Sequence, residues 1–127
     1  MSFFSGLRGM MSGGKPMISE KWNIPESESD IDTILSAGTH VIYKHSFSCA
    51  TCMFSKIKVE EVLEEYADKV GFHFVDVRAN RTISNLIAEK TGVSHESPQA
   101  IILKGGEVFD HKSHGSITKK MIEEAFI

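Results

Sequence analysis

The chain has 127 residues, which is enough for one compact domain and too few for two. Its formal net charge is −3 and its lysines and arginines are scattered, so neither nucleic acid nor an anionic membrane is expected as a partner. No stretch approaches the roughly 18 apolar residues that a membrane-spanning helix needs.

The first 18 residues look separable from the remainder and predict a flexible tail ahead of one domain over residues 19–127. Glycines, serines and Arg8 interrupt the tail, so it lacks the apolar stretch of about 7–15 residues of an export signal. A short amphipathic anchor built on residues such as Phe3, Phe4 and Leu7 is the alternative. Without an export signal the expected compartment is the cytoplasm, where a spaced cysteine pair is more often catalytic or metal-binding than structural.

The first half of the domain predicts a helix, a strand and a second helix. Ile31, Ile34 and Leu35 recur at helical spacing before Gly38, which ends a short helix. Residues 40–44 (HVIYK) form a β-branched and aromatic run that predicts a buried strand. The long helix that follows has Val59, Val62, Leu63, Tyr66 and Val70 on its apolar side and Glu60, Glu61, Glu64 and Glu65 on the side expected to be solvated.

The second half predicts strand, helix, a hairpin and a final helix. Residues 72–77 (FHFVDV) alternate as a strand does, and a helix capped by Thr82 ends at Gly92. The last elements are a strand over Ala100–Leu103, a Gly105–Gly106 turn, a strand at Val108–Phe109, and a helix capped by Ser116. This order predicts an α/β, thioredoxin-like fold: a mixed central sheet of about four strands, flanking helices, and an extra N-terminal helix.

The only two cysteines lie in the sequence Cys49-Ala50-Thr51-Cys52, between the end of the first strand and the start of a helix. Cys49 is expected at or near the helix N-cap, where free backbone N–H groups and the helix dipole stabilise a thiolate. Cys52, about one turn further, is placed to attack a disulfide on Cys49. Cys49 is therefore the candidate nucleophile and Cys52 the candidate resolving thiol.

Two other interpretations of the cysteine pair remain open. The residues could be small buried hydrophobes, although the polar neighbours argue against a core environment. They could also be half of a zinc or iron–sulfur site, completed by other ligands. The six histidines offer no His-x(3–5)-His set at the right spacing from the two cysteines, so no metal ligands are assigned.

Polar residues surround the cysteines in two segments that are candidates for substrate binding. Pro98 directly precedes a strand, at the place where the thioredoxin fold carries a cis-proline facing the active-site cysteine, and the sequence leaves its isomer open. His45, expected in a loop, could favour the thiolate or simply begin that loop. The candidates are His45, Ser46, Ser48 and Thr51 in the first segment and His95, Glu96, Ser97 and Pro98 in the second. Trp22 is expected to serve packing only.

Several stretches over residues 30–125 resemble one known family. The runs are Lys44-His45-Ser46 three residues before Cys49, residues 84–93 (SNLIAEKTGV), 95–99 (HESPQ), 105–108 (GGEV) and 113–115 (SHG). They are similar to the YtxJ-like monothiol bacilliredoxins, and HESPQ is the most specific of them. One departure matters: the family commonly has Cys-Pro-x-Ser where this chain has a second cysteine. An alternative register, Cys52-Met53-Phe54-Ser55, would restore Cys-x-x-Ser but breaks the spacing from the first run.

The resemblance implies a thioredoxin-like fold and a thiol-disulfide oxidoreductase that removes a small thiol such as bacillithiol from mixed disulfides on proteins. Cys49 would attack, and Cys52 is a possible resolver. The expected partners are protein mixed disulfides and the small thiol as co-substrate, with no other cofactor and a monomeric protein. The alternatives are a general thioredoxin-type dithiol reductase and a non-catalytic metal or iron–sulfur binding module.

Overall fold

The computed structural model describes residues 18–126. Residues 1–17, which make up nearly all of the predicted tail, lie outside this range, so the tail and its boundary stay a prediction. Ile18, the first described residue, is partly buried and packs against the core. No helix within residues 18–126 is long and apolar enough to cross a membrane.

Within residues 18–126, four helices and four strands follow one another in the predicted order, with the last two strands adjacent. The helices are α1 (Glu28–Ile34), α2 (Ala50–Tyr66), α3 (Arg81–Thr91) and α4 (Lys119–Glu123). The strands are β1 (Thr39–His45), β2 (Gly71–Asp76), β3 (Gln99–Lys104) and β4 (Glu107–Ser113). Two short 3₁₀ turns, His114–Ser116 and Glu124–Phe126, flank α4.

The four strands form one mixed sheet in the order β2-β1-β3-β4. β1 and β2 are parallel, joined by α2, whereas β3 pairs antiparallel with both β1 and β4. This arrangement confirms the predicted α/β, thioredoxin-like fold with its four-stranded mixed sheet and extra N-terminal helix. It also places the carboxyl ends of β1 and β2 side by side, with His45 paired to Asp76.

A separate hydrophobic cluster covers each face of the sheet. On one face Trp22 is fully buried and stacks at 6.0 Å on Tyr43, which confirms its packing role. This cluster also contains residues from α2 and α4, chiefly Val59, Val62, Leu63, Met121 and Ile122. On the other face α1 and α3 pack through Ile31, Ile34, Ile83 and Ile87.

The hairpin between β3 and β4 forms as predicted. Gly105 and Gly106 have φ of +60° and +85°, the left-handed values that a two-residue type I′ turn requires. β4 runs on to Ser113, well beyond the predicted end at Phe109, because its pairing with β3 continues as far as Gln99.

Two predicted helix caps are wrong. α3 starts one residue before Thr82, with Asn80 as its N-cap. Ser116 lies in a 3₁₀ turn, and Thr118 caps α4 instead by accepting a hydrogen bond from the Met121 N–H. In both cases another residue that can serve as a cap stands two positions away, and the sequence pattern does not rank the two choices.

The predicted solvated face of α2 needs one correction. The Glu60 side chain is only 22% exposed, and its Oε2 accepts a 2.7 Å hydrogen bond from Trp22 Nε1. Its Oε1 lies 3.2 Å from Lys56 Nζ. Glu60 therefore satisfies the indole N–H of a fully buried tryptophan, a long-range contact that helical periodicity does not report.

Candidate active site

Cys49 is the N-cap residue of α2, as its position after the first strand predicted. Its backbone is extended, with φ −107° and ψ 116°, and its N–H donates to the Ser46 carbonyl at 3.1 Å. The tight turn from β1 therefore ends at Cys49, and α2 begins with Ala50. The sulfur sits beside the positive end of a 17-residue helix.

The Cys49 thiol is half-buried, within reach of solvent and of hydrogen-bond donors. A hydrogen bond with the Cys52 thiol, followed by one with the Thr51 hydroxyl, lowers the pKa of Cys49 to about 7. The Thr51 Oγ1 lies 3.2 Å from Cys49 Sγ. Because the thiolate is the reactive form of cysteine, these contacts produce a nucleophile near neutral pH.

Cys52 has the opposite environment. It is fully buried, and burial, followed by the hydrogen bond with Cys49, raises its pKa. Both cysteines are free thiols in the structure. The two thiols therefore suit different roles. Cys49 can attack from the surface as a thiolate, whereas Cys52 stays protonated beneath it.

The segment before β3 reaches the cysteine pair. The Ser97–Pro98 peptide bond is cis, and Pro98 is buried. The Ser97 Oγ lies 3.8 Å from Cys52 Sγ. Ser97 and Pro98 therefore lie next to the cysteines, although they are more than 40 positions away in the sequence.

His45 does not lie in a loop, which corrects the expectation from the sequence. It is the last residue of β1 and is fully buried, with Nδ1 3.0 Å from the Tyr43 hydroxyl. Its ring packs against the rings of Phe47 and Phe74. Burial lowers the pKa of His45 to about 4, so the ring is neutral near pH 7 and faces the interior.

His95 and Glu96 precede Ser97, but their side chains bind elsewhere. His95 Nδ1 lies 3.3 Å from Lys44 Nζ and 3.2 Å from Ser84 Oγ. Glu96 Oε1 lies 3.0 Å from His114 Nε2, within hydrogen-bond distance, on the surface. These contacts hold the segment in place instead of directing either side chain to the cysteines.

Ser46 and Ser48 line the turn that leads to Cys49. Their hydroxyl oxygens lie 2.9 Å apart, and Ser46 is almost fully buried whereas Ser48 is exposed. Arg78 Nη1 donates to Ser48 Oγ at 3.0 Å. The structure thus gathers Ser46, Ser48 and Thr51 around Cys49, with Ser97 and Pro98 beside Cys52.

A family model described as monothiol bacilliredoxin BrxC matches residues 24–122, a range that contains both cysteines and the Ser97–Pro98 segment. The chain belongs to the monothiol bacilliredoxin family. This bacilliredoxin departs from the family's description in one respect, since it carries a second thiol, Cys52, three residues after the first.

Solved structures of similar proteins share the fold. One, with a thioredoxin fold and a provisional description as an oxidoreductase, is 26% identical at a TM-score of 0.72, covering 82% of this chain and 92% of its own. The oxidised thioredoxin of Plasmodium falciparum is 24% identical at a TM-score of 0.65, covering 82% of this chain and 97% of its own. Fasciola hepatica thioredoxin is 22% identical at a TM-score of 0.61, covering 81% of this chain and 94% of its own.

Three residues near the site were missed from the sequence. The Tyr43 hydroxyl donates to the Cys52 carbonyl at 3.0 Å, and Lys44 Nζ donates to the Ser84 carbonyl at 3.0 Å from a fully buried position. Arg78 reaches the active-site turn from the loop after β2. For Tyr43 and Lys44 a signal was available in the sequence. Lys44 and His45 stand at the end of a buried apolar strand, and buried charged groups need hydrogen-bond partners.

The side chains of residues 18–126 include no group of three His, Cys, Asp or Glu placed to hold a metal ion together.

Proposed function

We propose that this bacilliredoxin is a thiol-disulfide oxidoreductase that reduces mixed disulfides between proteins and a low-molecular-weight thiol such as bacillithiol. The observation that carries the proposal is the pair of unlike thiols at the start of α2. Cys49 is accessible with a pKa of about 7, whereas Cys52 is buried with a raised pKa. Family membership supports the same class of chemistry.

The first step is attack of the Cys49 thiolate on the mixed disulfide. One sulfur–sulfur bond breaks and one forms, and the electron pair leaves on the sulfur of the displaced thiol, which then takes a proton from water. When the small thiol is captured, the client protein is released in its reduced form. Thr51 stabilises the Cys49 thiolate before the attack through its hydroxyl.

Cys52 resolves the captured adduct in the second step. Its thiol loses a proton and attacks Cys49 Sγ, so the small thiol departs and the two cysteines become a disulfide. Over the two steps together the cysteine pair loses two electrons, which reduce the mixed disulfide to the client thiol and the free small thiol. Reduction by further small thiol or another reductant restores the dithiol. Because burial raises the pKa of Cys52, attack by Cys52 is expected to be slower than the attack by Cys49.

The groove around the cysteines binds the client through its backbone. Ser97 and Pro98 present main chain to an extended peptide in the manner of an added strand, and Ser46, Ser48 and Thr51 line the same turn. The enzyme acts as a monomer in the cytoplasm, with the small thiol as co-substrate and no resident cofactor. His95 and Glu96 hold the Ser97–Pro98 segment through their contacts with Lys44, Ser84 and His114.

A general dithiol reductase of thioredoxin type is the second candidate. The presence of Cys52 favours it, since two thiols at this spacing can reduce an intramolecular protein disulfide without a small thiol. The two candidates differ in their preferred substrate: a mixed disulfide for the first, an internal disulfide for the second.

The test compares reductase activity of the wild type with Cys49→Ser and Cys52→Ser on both substrates. We expect Cys49→Ser to abolish reduction of the mixed disulfide and Cys52→Ser to retain it. Full activity in Cys49→Ser would refute the assignment. Metal analysis and a visible spectrum of the purified protein test the binding-module alternative, because an iron–sulfur cluster absorbs visible light and a dithiol does not.

A further inference from the structure

An open cavity of about 460 Å³ lies beside the active-site turn. It is lined by Phe47, Ser48, Asp76, Arg78 and Ala79. Phe47 and Ser48 immediately precede Cys49, and the other three residues end or follow β2. Because β1 and β2 are parallel with His45 paired to Asp76, the segments that leave both strands meet at this edge. Crevices at the carboxyl ends of parallel strands commonly bind ligands.

The walls of this cavity are held in place by their own contacts. The Phe47 ring packs edge-on against His45 at 4.5 Å and lies 6.0 Å from Phe74. Asp76 Oδ1 accepts hydrogen bonds from the N–H groups of Arg78 at 3.1 Å and Ala79 at 3.0 Å. The loop after β2 is thus fixed by the carboxylate at its start, and the cavity is formed before any ligand arrives.

Arg78 supplies the positive charge that gives the cavity a preference for anionic ligands. Its guanidinium donates to Ser48 Oγ at 3.0 Å, and no carboxylate in residues 18–126 lies within ion-pair distance of it. The Asp76 carboxylate instead accepts from backbone N–H groups. A guanidinium has five N–H donors in a planar fork that matches a carboxylate, so most of its donors remain available beside Cys49.

We propose that this cavity is a subsite for a small thiol that carries a carboxylate, which Arg78 binds while the sulfur of that thiol bonds to Cys49. The inference rests on the proposed function and specifies its substrate class. Cys49 attacks the small-thiol sulfur of the mixed disulfide, the old sulfur–sulfur bond breaks, and the electron pair leaves on the client's sulfur. Arg78 thereby selects which of the two sulfurs Cys49 attacks and leaves the client reduced.

Three probes of nearly equal size test the charge preference. Each is a peptide with one cysteine in a mixed disulfide with 3-mercaptopropionate (anionic), 2-mercaptoethanol (neutral) or cysteamine (cationic). The second-order rate constant for peptide release is measured for the wild type, Arg78→Gln and Arg78→Lys. Dividing each variant's rate by the wild-type rate for the same probe cancels the intrinsic reactivity of the three disulfides.

We expect Arg78→Gln to lower the rate on the anionic probe about tenfold relative to its effect on the neutral probe. Arg78→Lys keeps the charge and recovers part of that loss. The matched control is Arg81→Gln, which removes the same charge from an exposed position at the start of α3, outside the cavity lining. We expect it to leave the ratios of the three probes unchanged.

Equal losses on all three probes in Arg78→Gln would overturn the subsite, because they would show a structural role for Arg78. An equal loss of rate on the anionic probe in Arg81→Gln would overturn the subsite too. The net charge of the protein, and not a contact with Arg78, would then explain the preference for the anionic probe. If the wild type released no peptide from any probe, the proposed function itself would fail. Turnover of the neutral probe therefore separates failure of the function from failure of the subsite.

Discussion

The Thr51 hydroxyl oxygen lies 3.2 Å from Cys49 Sγ, on the first turn of the helix that Cys49 caps. A hydroxyl at this position donates a stronger hydrogen bond to a thiolate than to a neutral thiol, so it favours the thiolate. Together with the Cys52 thiol it lowers the pKa of Cys49 to about 7, so the reactivity of the surface cysteine depends on two short-range donors.

Thr51→Val removes one of these donors and keeps the shape of the side chain. The pKa of Cys49 should rise, so the pH midpoint of its alkylation by iodoacetamide should move from about 7 to a higher pH. The measurement is the alkylation rate between pH 5 and 9, followed by intact mass. An unchanged midpoint in Thr51→Val would contradict a role for this hydroxyl.

Cys52→Ala should move the same midpoint further, because the Cys52 thiol is the larger of the two causes. Cys52→Ser is the matched control, since its hydroxyl can still donate to the thiolate. We expect its midpoint to lie between those of the wild type and Cys52→Ala. A larger shift in Thr51→Val than in Cys52→Ala would reverse the ranking of the two donors.

The sequence predicted the fold well because its signals are local. Apolar periodicity, the Gly105–Gly106 turn and the strand-to-helix position of Cys49 each depend on a few neighbouring residues. The wrong helix caps at Thr82 and Ser116 show the limit of such patterns, because residues with equal capping chemistry lie close to each other.

The site was predicted less completely because its remaining parts are long-range contacts. His45 looked like a loop residue, yet its place in the buried end of β1 follows from pairing with β2. The hydrogen bonds of Tyr43 to Cys52 and of Arg78 to Ser48 join separate elements. No local sequence pattern indicates a hydrogen-bond partner that lies 30 residues away along the chain, as Ser48 does from Arg78.

Tyr43→Phe should destabilise the protein by about 1–3 kcal/mol, since it removes a buried hydrogen bond to the Cys52 carbonyl and leaves His45 Nδ1 without its buried partner. Chemical denaturation measures the loss. Tyr66→Phe is the matched control, because its ring packs on Phe126 and its hydroxyl has no hydrogen bond within the described residues. Comparable losses in the two variants would contradict the structural role of the Tyr43 hydroxyl.

Stability should fall as pH decreases from about 6.5 towards 4. Burial lowers the pKa of His45 to about 4 from an ordinary value of 6.5, so in this window the unfolded chain binds a proton that the folded chain does not. The free energy of unfolding therefore decreases on acidification, by on the order of 1 kcal/mol per pH unit for each such histidine. His73, whose pKa burial lowers to about 3, acts in the same direction.

Denaturation at a series of pH values in His45→Gln tests this expectation. The slope of the free energy of unfolding against pH should be shallower than in the wild type. His111→Gln, at an exposed position, is the control for removing a histidine outside the core. A wild-type slope in His45→Gln would show that another group causes the acid sensitivity.

Gly106→Ala should be clearly more destabilising than Gly105→Ala. Both glycines have positive φ, which costs roughly 1–2 kcal/mol for an L-residue. A Cβ on Gly106 would in addition lie 2.5 Å from the Leu35 carbonyl oxygen, whereas one on Gly105 would meet nothing within 4 Å. Thermal unfolding compares the stability of the two variants. Equal losses of stability would show that the backbone strain of positive φ alone decides the effect and that the contact with Leu35 does not contribute.

The central claim, that Cys49 captures a small thiol and Cys52 resolves it, is tested most directly by intact mass after mixing reduced protein with a mixed-disulfide client. The account predicts that Cys52→Ser gains one small thiol on Cys49, while the wild type ends two hydrogens lighter as an internal disulfide. A small thiol found on Cys52, or no capture in Cys52→Ser, would contradict it. A persistent adduct on wild-type Cys49 would contradict the resolving role of Cys52.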